Sequence, residues 1–233
     1  MVLVKDQFDP ELRKLISKKK SVAVIPIGSI EQHGPHLPVS TDTDIVTEVA
    51  KLVCEKKKFL LLPTLSYGVS FEHAPFFQMS LKKNTVKQAL SDMIQSLASN
   101  KIKTIFIING HHGNQDALKE ITKKSFKNIR VFAMSYWHFM NDDFDHAGFV
   151  ETSLMLAISK NVKMSKAKKG FIEPIMSKSE KARLARKASK SFISVTKNGI
   201  WGDPREANAK KGKEILAEIV KNIEKKCQTC LTG

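Results

Sequence analysis

Residues 22–44 read VAVIPIGSIEQHGPHLPVSTDTD, and this stretch decides the fold. Its first six residues are apolar, uncharged and rich in β-branched side chains, the composition of a strand buried on both faces. After it, Ile45, Val46, Val49, Ala50, Leu52 and Val53 recur at helical spacing. The segment between is therefore a loop at the carboxyl end of a strand, where α/β sheets form their ligand crevice. It gathers Glu31, His33, His36, Asp42 and Asp44, while Gly34, Pro35 and Pro38 fix the backbone between them. A carboxylate and an imidazole two residues apart, with a second carboxylate further on, suit zinc, manganese or iron. Asp42 or Thr43 can equally serve as a cap for the helix that follows.

The same alternation runs along the chain. A short helix over residues 10–17 and a basic turn precede the strand at 22–27. A second apolar strand, 59–62, ends at Pro63 and opens into SYGVSFEHAPFFQMSL, residues 66–81, which holds Glu72 and His73. Tyr67, Phe71, Phe76 and Phe77 in that loop either wall a pocket or bury the loop against a neighbour. Val86, Leu90, Met93, Ile94 and Leu97 mark a helix over 84–98. The strand at 103–108 runs into NGHHGNQDAL, residues 109–118, where Asn109-Gly110 signals a turn and Asn114 offers a cap for a helix over 115–126. Neighbouring side chains diverge, so only one of His111 and His112 is expected to reach a common site.

A strand at 129–135 leads to NDDFDHAGFVETSLML, residues 141–156, with Asp145, His146 and Glu151 as chemical candidates. A helix starting near Gly148 puts Glu151 in its first turn, where the helix dipole also favours an acid. Its buried side is Leu154, Met155 and Ile158. Residues 159–200 are lysine-rich and less patterned; an exposed helix over 177–194 reads as a surface excursion or an oligomer contact. Asp203, Pro204 and Glu206 then spell a helix start, and Ile215, Leu216, Ile219, Val220 and Ile223 form an apolar stripe. The whole pattern predicts one α/β domain over residues 1–233 with a mostly parallel sheet.

Composition narrows the function. The 233 residues are 42% hydrophobic, as in globular proteins, and no apolar run is long enough to span a membrane. The N-terminus has no apolar signal region, which reads as cytoplasmic. Lys+Arg 39 against Asp+Glu 23 gives +16. The lysines are scattered, as at 18–20, 56–58, 166, 168, 169, 178, 181 and 187, with no interleaved aromatics to stack bases. Nucleic acid is therefore not the expected partner; an anionic small substrate steered by the positive field is the other option. Cys54 reads as core. Cys227 and Cys230 form a CxxC without a second pair, either incidental or a late disulfide.

Glu31-Gln32-His33-Gly34-Pro35-His36-Leu37-Pro38 with Asp42 resembles the first signature of the creatininase-like amidohydrolases. Asn109-Gly110-His111-His112-Gly113-Asn114 resembles the second, and His146-Ala147-Gly148 with Glu151-Thr152-Ser153 the third. Gly199-Ile200-Trp201-Gly202-Asp203-Pro204 is similar to the late glycine-tryptophan signature. The resemblance implies a three-layer α/β/α sandwich, homo-oligomers from dimer to hexamer, and two divalent metal ions (zinc, manganese or iron). It implies Glu31, His33, Asp42 and His111 as metal ligands, with Asp42 bridging. His146 would be the catalytic histidine, and Glu151 a carboxylate of the same site. His36, Glu72, His73 and Trp201 are the candidates for touching substrate.

The implied reaction is hydrolysis of a small amide. The leading substrate is a formamidopyrimidine ribonucleotide of flavin and deazaflavin synthesis, which would lose formate. Creatinine or another cyclic amide, and a peptide-trimming role in redox-cofactor maturation, are the alternatives within the family. A basic nucleic-acid-binding module and a non-catalytic assembly subunit are the alternatives outside it. The chain departs from the family pattern at three places. Gly113 stands where creatininase has a metal-binding Glu, so the second ion needs another ligand, for which Glu151 is the candidate. His112 replaces a glycine, and Phe77-Gln78-Met79 replaces a Pro-Gly-Thr-like run before Ser80-Leu81.

Overall fold

The computed structural model describes residues 2–17 and 21–233. The basic turn expected at Lys18–Lys20 lies outside the described residues. In chain order the elements are β1 (Val2–Leu3), α1 (Asp9–Ser17), β2 (Val22–Ile27), α2 (Thr41–Lys57), β3 (Leu60–Leu61) and α3 (Lys83–Ser99). There follow β4 (Thr104–Asn109), α4 (Gln115–Lys123), β5 (Arg130–Ser135), α5 (Phe149–Ile158), α6 (Lys178–Ala188), α7 (Ile193–Thr196) and α8 (Ala209–Thr232). The five strands form one sheet in the order β1-β3-β2-β4-β5, and every pairing is parallel.

Alternation along the central strands divides the core in two. Val24, Phe106 and Ile108 face one side and pack with buried residues of α2, α5 and α8. Ala23, Ile25, Ile27, Ile105 and Ile107 face the other and pack against α3 and α4, with α1 at the margin. Helices thus cover both faces, the α/β/α arrangement expected from the resemblance. Pro26 sits in β2, where a missing N–H would normally break a central ladder. Its carbonyl accepts from Leu65 N at 2.9 Å, so its nitrogen faces the β3 side, where the ladder has already ended at Leu61.

Several local expectations need correction. The strand at 59–62 shrinks to two residues as the chain turns toward Pro63, and Val2–Leu3 adds an edge strand that pairs only with it. Asn114 does not cap α4 with its side chain. Its amide is drawn instead to Gly28 O at 3.0 Å and Asn109 Oδ1 at 3.2 Å, and its oxygen accepts from Val69 N at 3.0 Å. Asp203 caps a single turn at Pro204–Glu206; the long helix starts at Ala209 and is capped by Asn208, which accepts from Lys211 N. The C-terminus is not frayed. The helix α8 runs to Thr232, Cys227 is buried in the core and all three cysteines are free. The predicted helix over 177–194 is two helices, α6 opened by a Ser177–Glu180 capping box and then α7. Among the described residues no helix is long and apolar enough to cross a membrane.

The long helix α8 crosses α5 at Gly212, where a Cβ would lie 1.8 Å from the Ser153 carbonyl oxygen. Since that neighbour is backbone, a larger residue must push the helices apart. We expect Gly212→Val to cost about 1–3 kcal/mol, a fall in melting temperature of roughly 5–10 °C. Lys213→Ala, one residue along on the exposed side, should melt within about 2 °C of the parent; equal melting of the two variants would contradict this packing.

Candidate metal centre

Three strand ends supply the site. Glu31 and His33 leave β2, and Asp42 lies in the first turn of α2. His111 follows β4, His146 comes from the segment joining β5 to α5, and Glu151 lies in the first turn of α5. All six are buried or nearly so. The ligand-type atoms fall into three overlapping sets, each within 4.8 Å: Glu31–Asp42–His111, His33–Asp42–Glu151 and Glu31–His33–His146. Asp42 is common to the first two.

Hydrogen bonds fix which imidazole nitrogen faces inward. Nδ1 of His33 lies 3.1 Å from the Glu31 carbonyl oxygen and donates to it. Its Nε2 then faces Asp42 Oδ1 at 3.1 Å and Glu151 Oε2 at 3.5 Å. Nε2 of His111 donates to Val69 O at 2.8 Å, which leaves Nδ1 at 3.0 Å from Asp42 Oδ2 and 3.2 Å from Glu31 Oε1. In both residues a backbone carbonyl holds the outer N–H, as around ligating histidines. The inner nitrogens meet carboxylate oxygens, and lone pairs so placed repel unless a cation stands between them.

Two further observations fit an ion. Glu31 Oε1 has nitrogens of His73 and His111 at 3.0 and 3.2 Å, yet no hydrogen bond of acceptable direction reaches it. Glu151 Oε1 is likewise buried and unpaired. A single hydroxyl, Ser29 Oγ, lies 2.9 Å from Glu31 Oε2 and 2.6 Å from Asp42 Oδ2, and its one hydrogen cannot serve both. Orphaned carboxylate oxygens beside inward-facing imidazoles are the donor set of a divalent site.

Without a cation the charges rearrange. Burial opposes a charged His33, but Asp42 and Glu151 outweigh it and raise the ring to about 10. His111 is likewise held well above its usual value, against burial, by Glu31 and Asp42. Burial pushes Glu151 up to about 8. His146 goes the other way: burial and the neighbouring charge of His33 hold it well below its usual value.

The position of each remaining candidate differs. Glu72, His73 and Trp201 line a cavity of about 630 Å³ that opens onto Glu31, Asp42, His111, His146 and Glu151. His36 does not reach it. Its Nε2 meets Thr152 Oγ1 at 2.9 Å on α5, and burial beside His33 lowers it to about 4, so it braces the loop from behind. Of the adjacent pair, His111 turns into the ligand cluster, while His112 is exposed on the cavity wall, its ring 6.2 Å from Trp137. No side chain fits at Gly113, since a Cβ would lie 2.0 Å from Val69 O; Glu151 Oε2 stands near His33 instead. Tyr67, Phe71, Phe76 and Phe77 are exposed and none lines the cavity.

Three contributors escaped the sequence reading. Ser29 stands two residues before Glu31, between Gly28 and Ile30. Gln32 donates to Gly199 O and to His73 Nδ1, both at 3.0 Å, and accepts from Gly34 N. Phe192 packs its ring 4.7 Å from His73 and 4.8 Å from His146. It comes from the lysine-rich segment read as a surface excursion, which in fact walls the cavity with Ala188 and Ser189.

A family model described as creatininase, creatinine amidohydrolase, matches residues 6–227. The mycofactocin precursor peptide peptidase of Mycobacterium ulcerans is 34% identical over 208 residues, covering 84% of this chain and 80% of that protein. A 2-amino-5-formylamino-6-ribosylaminopyrimidin-4(3H)-one 5'-monophosphate deformylase of Methanocaldococcus infernus is 26% identical over 224 residues, covering 90% and 92%. Among solved structures, a creatinine amidohydrolase (creatininase) superposes with a TM-score of 0.77 at 25% identity, covering 96% of this chain and 95% of that one.

Because the inward histidines and Glu151 hold protons in the ion-free protein, ion binding must expel them. Titrating chelated protein with zinc at pH 7, in two buffers of different ionisation enthalpy, should show about two to three protons released per chain. Affinity should climb as pH rises toward the histidine values. Release near zero would mean that His33 and His111 do not coordinate.

Proposed function

The chain belongs to the creatininase family of metal-dependent amidohydrolases, and from that premise we propose that it cleaves a small amide at a two-ion centre. The observation that carries the reading is the pair of ligand sets sharing Asp42. Glu31, Asp42 and His111 would hold one ion; His33, Asp42 and Glu151 would hold the other. Zinc, manganese and iron all suit this mixture of nitrogen and oxygen donors. When bound, such ions polarise the amide carbonyl and acidify water.

The protein's own groups handle the proton. Nε2 of His146 lies 3.1 Å from both the Gln32 carbonyl oxygen and the Gln32 side-chain nitrogen. The side-chain amide has committed its two hydrogens to Gly199 and His73, so His146 donates to the carbonyl. Its Nδ1 is left with a free lone pair on the inner side, 3.9 Å from Glu31 Oε1. A neutral imidazole so fixed can take a proton from attacking water and return it to the departing nitrogen. The Phe192 ring against it limits access of bulk water.

Two amide classes fit this chemistry. Release of formate from a formamidopyrimidine ribonucleotide is the reading suggested first by the motifs, and the deformylase relative supports it. Trimming of a peptide is supported by the higher identity to the peptidases, and a cavity of about 630 Å³ has room for the end of a chain. We also propose a homo-oligomer, supported by the exposure of Phe71, Phe76, Phe77 and Met79 on one loop.

Metal-replete protein incubated with a panel of formamides, cyclic amides and short peptides should release formate or a new carboxylate from at least one of them. His33→Ala should lose bound metal, by elemental analysis, together with activity. His146→Asn should keep its metal and lose about 10²-fold or more in kcat. Full activity in protein stripped of metal would refute the reading.

A further inference from the structure

The cavity has a charge opposite to that of the chain. None of the residues lining it is Lys or Arg, although the chain contains 39 of them. The three inner carboxylates are committed to the ion sites proposed above. Beyond them stand Glu72, Asp116, Asp145 and Glu173, of which Asp145 accepts from Val150 N and Glu151 N. Lys181 reaches Glu173 at 2.7 Å and neutralises it from outside.

Glu72 has no such partner. Its side chain is 16% exposed, and among the described residues no hydrogen bond to its carboxylate is made. The nearest charged nitrogen, His111 Nε2, is 3.8 Å away and gives its hydrogen to Val69 O. Beside it, Phe192 N donates to the Glu72 backbone carbonyl at 2.8 Å, and the Phe192 and Trp201 rings on the cavity wall lie 27° apart with centroids at 6.3 Å. Aromatic faces and an unpaired carboxylate attract the same class of group, a nitrogen cation. Among the described residues no guanidinium or ammonium lines the cavity to meet a phosphate, and Lys181 at the rim is paired with Glu173.

We propose that this site selects an amide that also carries a protonated nitrogen, received by the Glu72 carboxylate, and that it discriminates against phosphorylated amides. The inference rests on the amidohydrolase reading and specifies its substrate class, setting aside the phosphorylated ribonucleotide of the two classes named above. Glu72 is then a specificity-determining residue; it takes no proton in the reaction.

The test uses three N-formyl amines of equal length that end in ammonium, methyl or phosphate, with metal-replete protein and formate release as the readout. kcat/KM should fall from ammonium to methyl to phosphate, by about tenfold between the first two. Glu72→Gln should collapse that ammonium-to-methyl ratio toward one, whatever happens to the common rate, and Glu72→Asp should retain it. Calorimetric binding of the matching methanesulfonamides, which are not hydrolysed, reads the same preference without turnover. Phosphate as the best ligand, equal binding of all three, or an unchanged ratio in Glu72→Gln would overturn the proposal. If the binding order holds and no formate appears from any of the three, the hydrolytic reading fails and the charge preference stands.

Discussion

Everything in this molecule is arranged around a place where buried carboxylates meet the unprotonated sides of imidazoles. Taken from water without compensation, Glu31, Asp42 and Glu151 would repel one another strongly at these distances. Protons on His33 and His111 can relieve that repulsion, and so can divalent cations. Either solution keeps the outer N–H bonds to the Glu31 and Val69 carbonyls, which turn the other nitrogen of each ring inward. The protonated arrangement leaves Glu31 Oε1 and Glu151 Oε1 without directed partners. The geometry is built for an ion and tolerates protons in its place.

The parallel sheet makes this convergence affordable. Because every strand runs the same way, β2, β4 and β5 end on one edge, and their loops must share the space beyond it. Those loops are tied to one another by side chains more than by secondary structure. Asn114 spans from its own loop to Gly28 and Val69, Thr43 reaches back to Ser29 O at 3.0 Å, and Gln32 joins the first loop to Gly199. Such long-range polar contacts hold the ligating atoms still before any ion arrives, which lowers the entropy lost on binding.

Much of this was legible before the coordinates. The strand at 22–27 was readable because a continuous apolar run meets Gly28 at one end and a polar loop beyond. Glu151 was placed correctly in the first turn of α5, and Asp145 explains why: its carboxylate accepts from Val150 N at 2.9 Å and Glu151 N at 3.2 Å, so the helix has to begin there. What the sequence could not show was anything decided by contacts between distant segments. Asn114 looks like a helix cap because local rules know only the nearest amides, and three remote groups outbid them. His36 shares a motif with His33 but lies on the other side of the loop, against Thr152. Phe192 lies in a lysine-rich stretch with no periodic signal and reaches the centre only because α6 and α7 fold back over it. The edge strand β1 escaped for a similar reason, since two residues carry no pattern of their own.

Charge illustrates the same limit on a larger scale. A net +16 invites the thought of an anionic ligand, because a global field raises the local concentration of opposite charge. That field is made by lysines in solvent, where salt screens them within about 10 Å. What a ligand feels on entering the cavity is set by the groups that line it, in a medium that screens far less. There the sign is reversed: the acids are carried on strand ends and first helical turns, and the lysines lie on the outer surface. Lys181 approaches the rim only to pair with Glu173. The net charge of the chain therefore describes its long-range field, while a ligand inside the cavity meets carboxylates, imidazoles and aromatic rings.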